Sequence, residues 1–183
     1  MTEWTAQRVL DFWFDPENQK NWFVKSDAFD AQVRDSLMPA YEQAATGAFA
    51  DWAQTGRGAV ALCILLDQFP RNVFRGSPKS FATDPQALAI TLQALDKGLD
   101  QGLSANEKLF LYLPLEHDED LASQTLCCEL MRERIGKAEL IDYADRHRVI
   151  IERFGRFPHR NASLGRESTP EELAFLKEPG SSF

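Results

Sequence analysis

Cysteine is scarce in this chain: Cys63, Cys127 and Cys128 are the only three in 183 residues. An odd number with an adjacent pair cannot staple distant segments together, so the thiols fit a reducing compartment. Long apolar runs are lacking as well. The longest, Ala59 to Leu66, falls far short of the ~20 residues a membrane crossing needs. The opening MTEWTAQRVLDFWF has neither the basic start nor the apolar stretch of an export signal. A cytoplasmic protein without a membrane partner is therefore expected. Positive charge is also in deficit, with 20 Lys and Arg against 28 Asp and Glu, for a net charge of −8. Such a chain repels the nucleic-acid backbone, and no nucleic-acid partner is expected. Finally, the P-loop, the G-x-G-x-x-G turn and the G-x-S-x-G elbow are all absent, so nothing calls for a nucleotide cofactor or a serine hydrolase, and no cofactor is expected.

What is present is apolar and helical. Hydrophobic residues make up 44% of the chain and aromatics 11%, including 13 Phe and 4 Trp, enough to fill the interior of one domain without metals or disulfides. No strand-like alternation competes with the helical spacing. A first helix is predicted from Thr5 to Phe14, stopped by Asp15-Pro16. A second starts near Asp27, an N-cap candidate, and places Phe29, Val33, Leu37, Ala40 and Ala44 on one face before Gly47, with a kink allowed at Pro39. A helical turn around Trp52 ends at Gly56. The run from Gly58 is apolar on all sides, which suits a central helix enclosed by others. Asp84-Pro85 reads as an N-cap with proline at the first position, followed by a stripe of Leu88, Leu92, Leu95 and Leu99. Ser104 and Glu107 form a capping box for a helix that Pro114 should bend or end. Helices over 119–135 and 137–154 follow, separated by Gly136. Thr169-Pro170-Glu171-Glu172 opens a short C-terminal helix over 170–178, and 179–183 is a frayed tail.

About eight helices joined by short turns predict an all-α domain of antiparallel hairpins, a stack or bundle, over residues 1–183 with no linker dividing it. The aromatic clusters at 12–14 and 22–23 are read as packing that seals the N-terminal helices.

Two helices end in nearly the same words, DQFPRN at 67–72 and GRFPHRN at 155–161. Each couples an apolar helix to Phe-Pro and then to Arg and Asn. Taken singly, each looks like a cap in which proline stops the helix and the polar residues serve its last carbonyls. Taken together, Arg71, Asn72, Arg75, Arg153, Arg156 and Arg160 could converge on one anion site. Residues 146–166 carry six Arg against one Glu, a net +5 that leaves −13 on the rest of the chain. The competing expectation is internal: Asp67, Glu116, Asp118, Glu119 and Asp120 would pair with these arginines as buried ion pairs.

LPLEHDED at 113–120 sets His117 beside four acids just after a proline. Glu116 with His117 has the composition of a base and its orienting partner. His147 shares a helical stripe with Leu140, Ala144, Ile151 and Phe154, which points its imidazole inward. Neither a His-Glu-x-x-His pattern nor paired Glu-x-x-His segments occur, and no spacing fixes His117, His147 and His159 around Asp67 or Glu116, so no metal site is expected. Cys127 and Cys128 look like small core residues, since a reactive thiol would want a basic neighbour and Glu129 has the wrong sign.

VLDFWF, LLDQFPRNVFRG, YLPLEH, HRVIIERFGRFPHRN and STPEELAFL together resemble the bacterial domain-of-unknown-function family 924, over nearly the whole chain. The resemblance implies an all-α fold similar to tetratricopeptide-type hairpin stacks. It brings no activity with it. The family's motif positions correspond here to Asp67, Gln68, Arg71, Asn72 and Arg75, to Glu116 and His117, and to His147, Arg153, Arg156, His159, Arg160 and Asn161. Where the family pattern continues Glu-His-Ser-Glu, this chain has Asp118.

Three functions fit these residues. The first is a tetratricopeptide-like binding module in which Asp67, Gln68, Arg71, Asn72, Arg75, Arg153, Arg156, His159, Arg160 and Asn161 hold a carboxylate or phosphate on a small molecule or peptide. The second is an enzyme using Glu116, His117 and His147 for acid–base work with an arginine clamp. The third is an interaction scaffold whose polar network only locks the helices.

Overall fold

A helix with no polar face has to be enclosed by other helices, and the run from Gly58 is such a helix. In the computed structural model, which describes residues 3–182, it lies in the first of two compact units. This unit comprises the chain up to Arg75 together with Lys79–Pro114. Among the described residues every regular element is helical.

The first unit contains α1 (Ala6–Trp13), α2 (Pro16–Gln19), α3 (Asp27–Ala45), a 3-10 turn at Ala50–Gln54, α4 (Gly56–Cys63), α5 (Phe69–Val73), α6 (Asp84–Asp96) and most of α7 (Ala105–Glu116). Asp15-Pro16 ends α1, as expected, but also starts α2, because the Asp15 carboxylate accepts from the Glu17 N–H and so caps it. α3 begins one residue earlier in its capping than the sequence suggests: Ser26, not Asp27, accepts from the Phe29 N–H. Its predicted face of Phe29, Val33, Leu37, Ala40 and Ala44 is buried.

Every residue of α4 from Gly58 to Cys63 is buried, and α4 packs against α1, α6 and the 50–54 turn. The approach is close enough to require glycine. A Cβ at Gly58 would stand 2.0 Å from the Trp52 carbonyl oxygen, and one at Gly56 would stand 2.2 Å from that of Leu99. The buried face of α6, which packs against α4, is made of small residues. Ala87, Thr91 and Ala94 turn inward, while Leu92 of the predicted leucine stripe is exposed. Small side chains let two helices approach where leucines would hold them apart.

Proline does not stop the central helix. α4 continues through one π-helical turn at Ile64–Gln68 directly into α5, with Pro70 inside the continuous helical path. A proline there has no N–H for the carbonyl four residues back, and its ring crowds that carbonyl. The carbonyl in question belongs to Leu66, and the buried Thr83 hydroxyl donates to it instead. Pro39 and Pro114 likewise lie inside α3 and α7.

The second unit comprises Gly76–Pro78 and the chain from Leu115 onward. It contains α8 (Leu121–Leu130), a π-helical turn at Met131–Ile135, α9 (Ala138–Phe154), a 3-10 turn at Pro158–Arg160 and α10 (Pro170–Phe175). Gly136, at φ +73°, separates the turn from α9, which packs against α8. Ile150, Ile151 and Phe157 form a core against which Phe154 and Phe175 pack. The predicted capping box of α10 is present, although the helix ends at Phe175 rather than 178. Of the expected 179–183 tail, Phe183 lies outside the described residues. The junction at Pro114–Leu115 falls in the last turn of α7, where no composition shift marks it. Among the described residues no helix is long and apolar enough to cross a membrane.

If Thr83 completes the helix that Pro70 interrupts, Thr83→Val strands a buried carbonyl at a cost of about 1–3 kcal/mol. A urea-denaturation midpoint that falls with an unchanged slope is the expected result.

Candidate functional site

The first Phe-Pro block belongs to the first unit and the second block to the second unit. In each, the guanidinium groups meet carboxylates of their own unit. Arg71 forms a two-pronged contact with Asp84, at 2.8 and 2.9 Å, and also reaches the Asp67 carboxylate at 3.0 Å. Gln68 donates to the other Asp67 oxygen at 2.7 Å, and Asn72 donates to the Gln68 carbonyl at 3.0 Å. Arg75 grips Asp30 at 2.7 and 3.1 Å and donates to the Asn72 side-chain oxygen. Asp84 therefore serves as an arginine partner rather than as the helix cap expected of it; Thr83 occupies the cap position of α6, without a side-chain cap bond.

The second block is organised around two glutamates. Glu172 accepts both prongs of Arg156, at 2.6 and 2.8 Å, an Asn161 N–H at 3.2 Å and the Thr169 backbone N–H at 2.8 Å. These donors, led by Arg156, overcome the cost of burial and pull its carboxyl down to about 2. Glu119 accepts both prongs of Arg166 and the Phe157 backbone N–H. Burial pushes its acidity the other way, but the Arg166 and Phe157 bonds and the Arg160 charge leave its pKa below the ordinary value. Arg153 reaches Glu171 at 3.0 Å, while its guanidinium covers Phe154.

Asp67 answers Arg71 and Glu119 answers Arg166, as two of the acids expected to pair with arginines. Asp120 instead caps α8 by accepting from the Ala122 and Ser123 N–H groups. Asp30, Asp84, Glu171 and Glu172 were not anticipated in that role. For Glu172 a signal existed, since its place in the capping box already put a carboxylate beside the second block.

The histidines are brought together. His147, on α9, is buried, and its ring centroid lies 6.2 Å from that of half-buried His117. The Glu116 carboxylate, also buried, lies 3.6 Å from the His147 Nδ1. Phe157 also packs edge-on to His147 at 5.6 Å, with the half-buried His159 ring 5.6 Å from Phe157 and the buried Arg160 guanidinium 4.5 Å from its centroid. All of these residues belong to the second unit.

Local structure explains how adjacent residues can join this group. Within a helix, Glu116 and His117 would face directions about 100° apart. α7 ends at Glu116, however, and the buried Gln124 side chain donates toward the carbonyls of Leu115, Glu116 and Asp118, fixing the turn beyond the helix end. Burial, then the charge of His117, pushes the His147 pKa down to about 3, with Arg160 and His159 acting in the same direction and the Tyr143 hydrogen bond opposing them. His147 is thus a neutral imidazole. Its Nδ1 donates to the Tyr143 carbonyl at 2.9 Å, which places the ring's lone pair on Nε2.

Among the described residues, Glu116, His117 and His147 each offer one potential ligand atom, all within 4.8 Å of one another. No metal site was expected from the sequence, because nothing in the spacing linked these positions. The thiols are remote from nucleophilic chemistry: Cys63, Cys127 and Cys128 are buried. Burial raises Cys63 to about 12 and Cys128 to about 11, and burial with the Glu116 charge lifts Cys127 well above its ordinary value. A hollow of about 300 Å³ in the first unit is lined by Trp4, Arg8, Phe12, Asp35, Ser36 and Leu37, none of them a predicted site residue.

These features define an all-α protein with arginine–carboxylate locks at its helix ends and a histidine–carboxylate cluster in its second unit. Residues 9–180 match the family described as bacterial protein of unknown function (DUF924), and the chain belongs to that family. It is similar to the structure of the protein of unknown function ATU0120 from Agrobacterium tumefaciens, with 41% sequence identity and a TM-score of 0.89, over 94% of this chain and 96% of that one. No curated protein matches it.

The Glu172 hub gives a prediction with a definite sign. Its carboxyl is depressed from 4.5 to about 2 on folding, so its contribution is complete above pH 4.5 and is lost as pH falls toward 2. Glu172→Gln should lower the melting temperature by roughly 5–10 °C at pH 7. The gap to the wild-type protein should close progressively below pH 4.5 in a thermal-melt series.

Proposed function

We propose that the protein binds a small anion, a carboxylate or phosphate on a small molecule or peptide, at the cluster of His117, His147, His159 and Arg160 in the second unit. The observation that carries this reading is the gathering of His117, His159 and Arg160 around the buried, neutral imidazole of His147. Half-buried His117 and His159 are reachable from solvent and offer ring N–H groups, while Arg160 supplies fixed positive charge.

The other arginines have a different part in this reading. Arg71 and Arg75 tie helices of the first unit, and Arg153 and Arg156 tie α10 to the end of α9. With Asp67, Gln68, Asn72 and Asn161 they hold the framework and leave the ligand to the histidine cluster. Recognition then needs no groove of the tetratricopeptide kind and no convergence of the two Phe-Pro blocks.

The acid–base reading of Glu116, His117 and His147 is favoured by one observation, the 3.6 Å separation of Glu116 and His147. It makes the cluster a place where a bound anion could also be worked on.

Isothermal calorimetry with inorganic phosphate, glycerol phosphate and succinate tests the binding reading. At least one should give a saturable heat that His159→Ala weakens about tenfold or more, with the melting temperature within a few degrees of wild type. Silence from all three, or undiminished binding by His159→Ala, contradicts it.

A further inference from the structure

We propose that Glu116, His117 and His147 form a binding site for one divalent first-row transition-metal ion. The inference stands on these three residues and their surroundings, and it deepens the anion-binding reading by giving the same cluster a cation at its centre.

The donor set comes first. Two imidazoles and one carboxylate make a mixed nitrogen–oxygen set suited to Zn²⁺, Fe²⁺ or Mn²⁺, and three protein ligands leave coordination positions open. The ligand atoms already lie within 4.8 Å of one another, although the residues come from the end of α7 and the middle of α9. An ion about 2.0–2.2 Å from each donor asks for donors roughly 3.4 Å apart, so side-chain adjustments of about 1 Å complete the site.

Outer contacts match what a metal site needs. A ligating imidazole generally gives its second N–H to a carbonyl or carboxylate, which fixes the tautomer and the ring orientation. His147 does so through Nδ1 to the Tyr143 carbonyl. The loop presenting Glu116 and His117 is held by Gln124, whose side chain is fully buried. His117 is half-buried and gives the ion an entry from solvent, while Glu116 and His147 lie beneath it.

The charge around the site determines what would fill the remaining positions. Glu116 brings one negative charge to the ion, and the Arg160 guanidinium and the His159 ring lie beside Phe157, which packs against His147. A divalent ion there carries excess positive charge and calls for an anionic exogenous ligand. Metal and anion would therefore strengthen one another's binding.

The test uses the full, untagged chain stripped with EDTA and dialysed, then titrated with Zn²⁺ and with Co²⁺ in the absence of phosphate and carboxylate. One ion per chain by elemental analysis is expected, together with visible ligand-field bands of Co²⁺ in a low-coordinate nitrogen–oxygen site. His117→Ala, at a half-buried position beyond the helix end, should keep the melting temperature of the apo protein and weaken binding about 100-fold or more; Glu116→Gln should do the same for affinity. Absence of stoichiometric uptake by the wild-type chain, or uptake that His117→Ala leaves unchanged, overturns the proposal. Metal uptake without any anion affinity would leave this site standing and remove the anion reading. Anion binding by a chain that takes up no metal would do the reverse.

Discussion

Charge withdrawn from water at the helix ends is the constraint on which this structure depends. Removing one partner of a buried ion pair costs about 3–5 kcal/mol, a large part of the stability of any domain. Arg71 between Asp67 and Asp84, Arg156 on Glu172 and Arg166 on Glu119 satisfy that constraint within their own unit, and Arg75, itself exposed, answers the buried Asp30. Such pairs add little net stability compared with an apolar contact of equal size. What they provide is discrimination, because a misplaced α6 or α10 would leave a guanidinium and a carboxylate buried apart.

Backbone groups face the same constraint and meet it in a similar way. Pro70 denies the Leu66 carbonyl its helical donor, and Thr83 supplies one from the segment that begins α6. The end of α7 leaves carbonyls without helical partners, and Gln124 reaches them from α8. In both cases a side chain on the next helix completes the previous one, so chain continuity and packing are secured by one contact. The second case also shapes the histidine cluster, since Glu116 and His117 meet His147 only because α7 stops where it does.

Much of the helical frame was legible in the sequence. The stripes on α3 and α9, the enclosed α4 and the capping box of α10 follow from local spacing and from side chains reaching a few residues along the chain. The misread features are those settled over longer separations. Proline at position 70 reads as a stop until Thr83 is brought beside Leu66, and the leucines of α6 read as its core face although Ala87, Thr91 and Ala94 are what it buries. Arginine partners were the least legible. Asp30 and Arg75 are 45 residues apart, Glu119 and Arg166 are 47, and charge sign alone selects none of the many possible pairs. The histidine cluster was half visible: the inward direction of His147 follows from its stripe, but its neighbours Glu116 and His117 come from the end of α7 and the turn after it.

At the centre of the cluster His147 is a neutral ring with its Nδ1 proton given to a backbone carbonyl and its lone pair on Nε2. Two-bond proton–nitrogen correlation spectra of the uniformly ¹⁵N-labelled, metal-free chain at neutral pH would read that state directly. A protonated Nδ1 with a bare Nε2 is the predicted pattern for His147. A proton on Nε2 alone, or a ring charged at both nitrogens, would contradict the account.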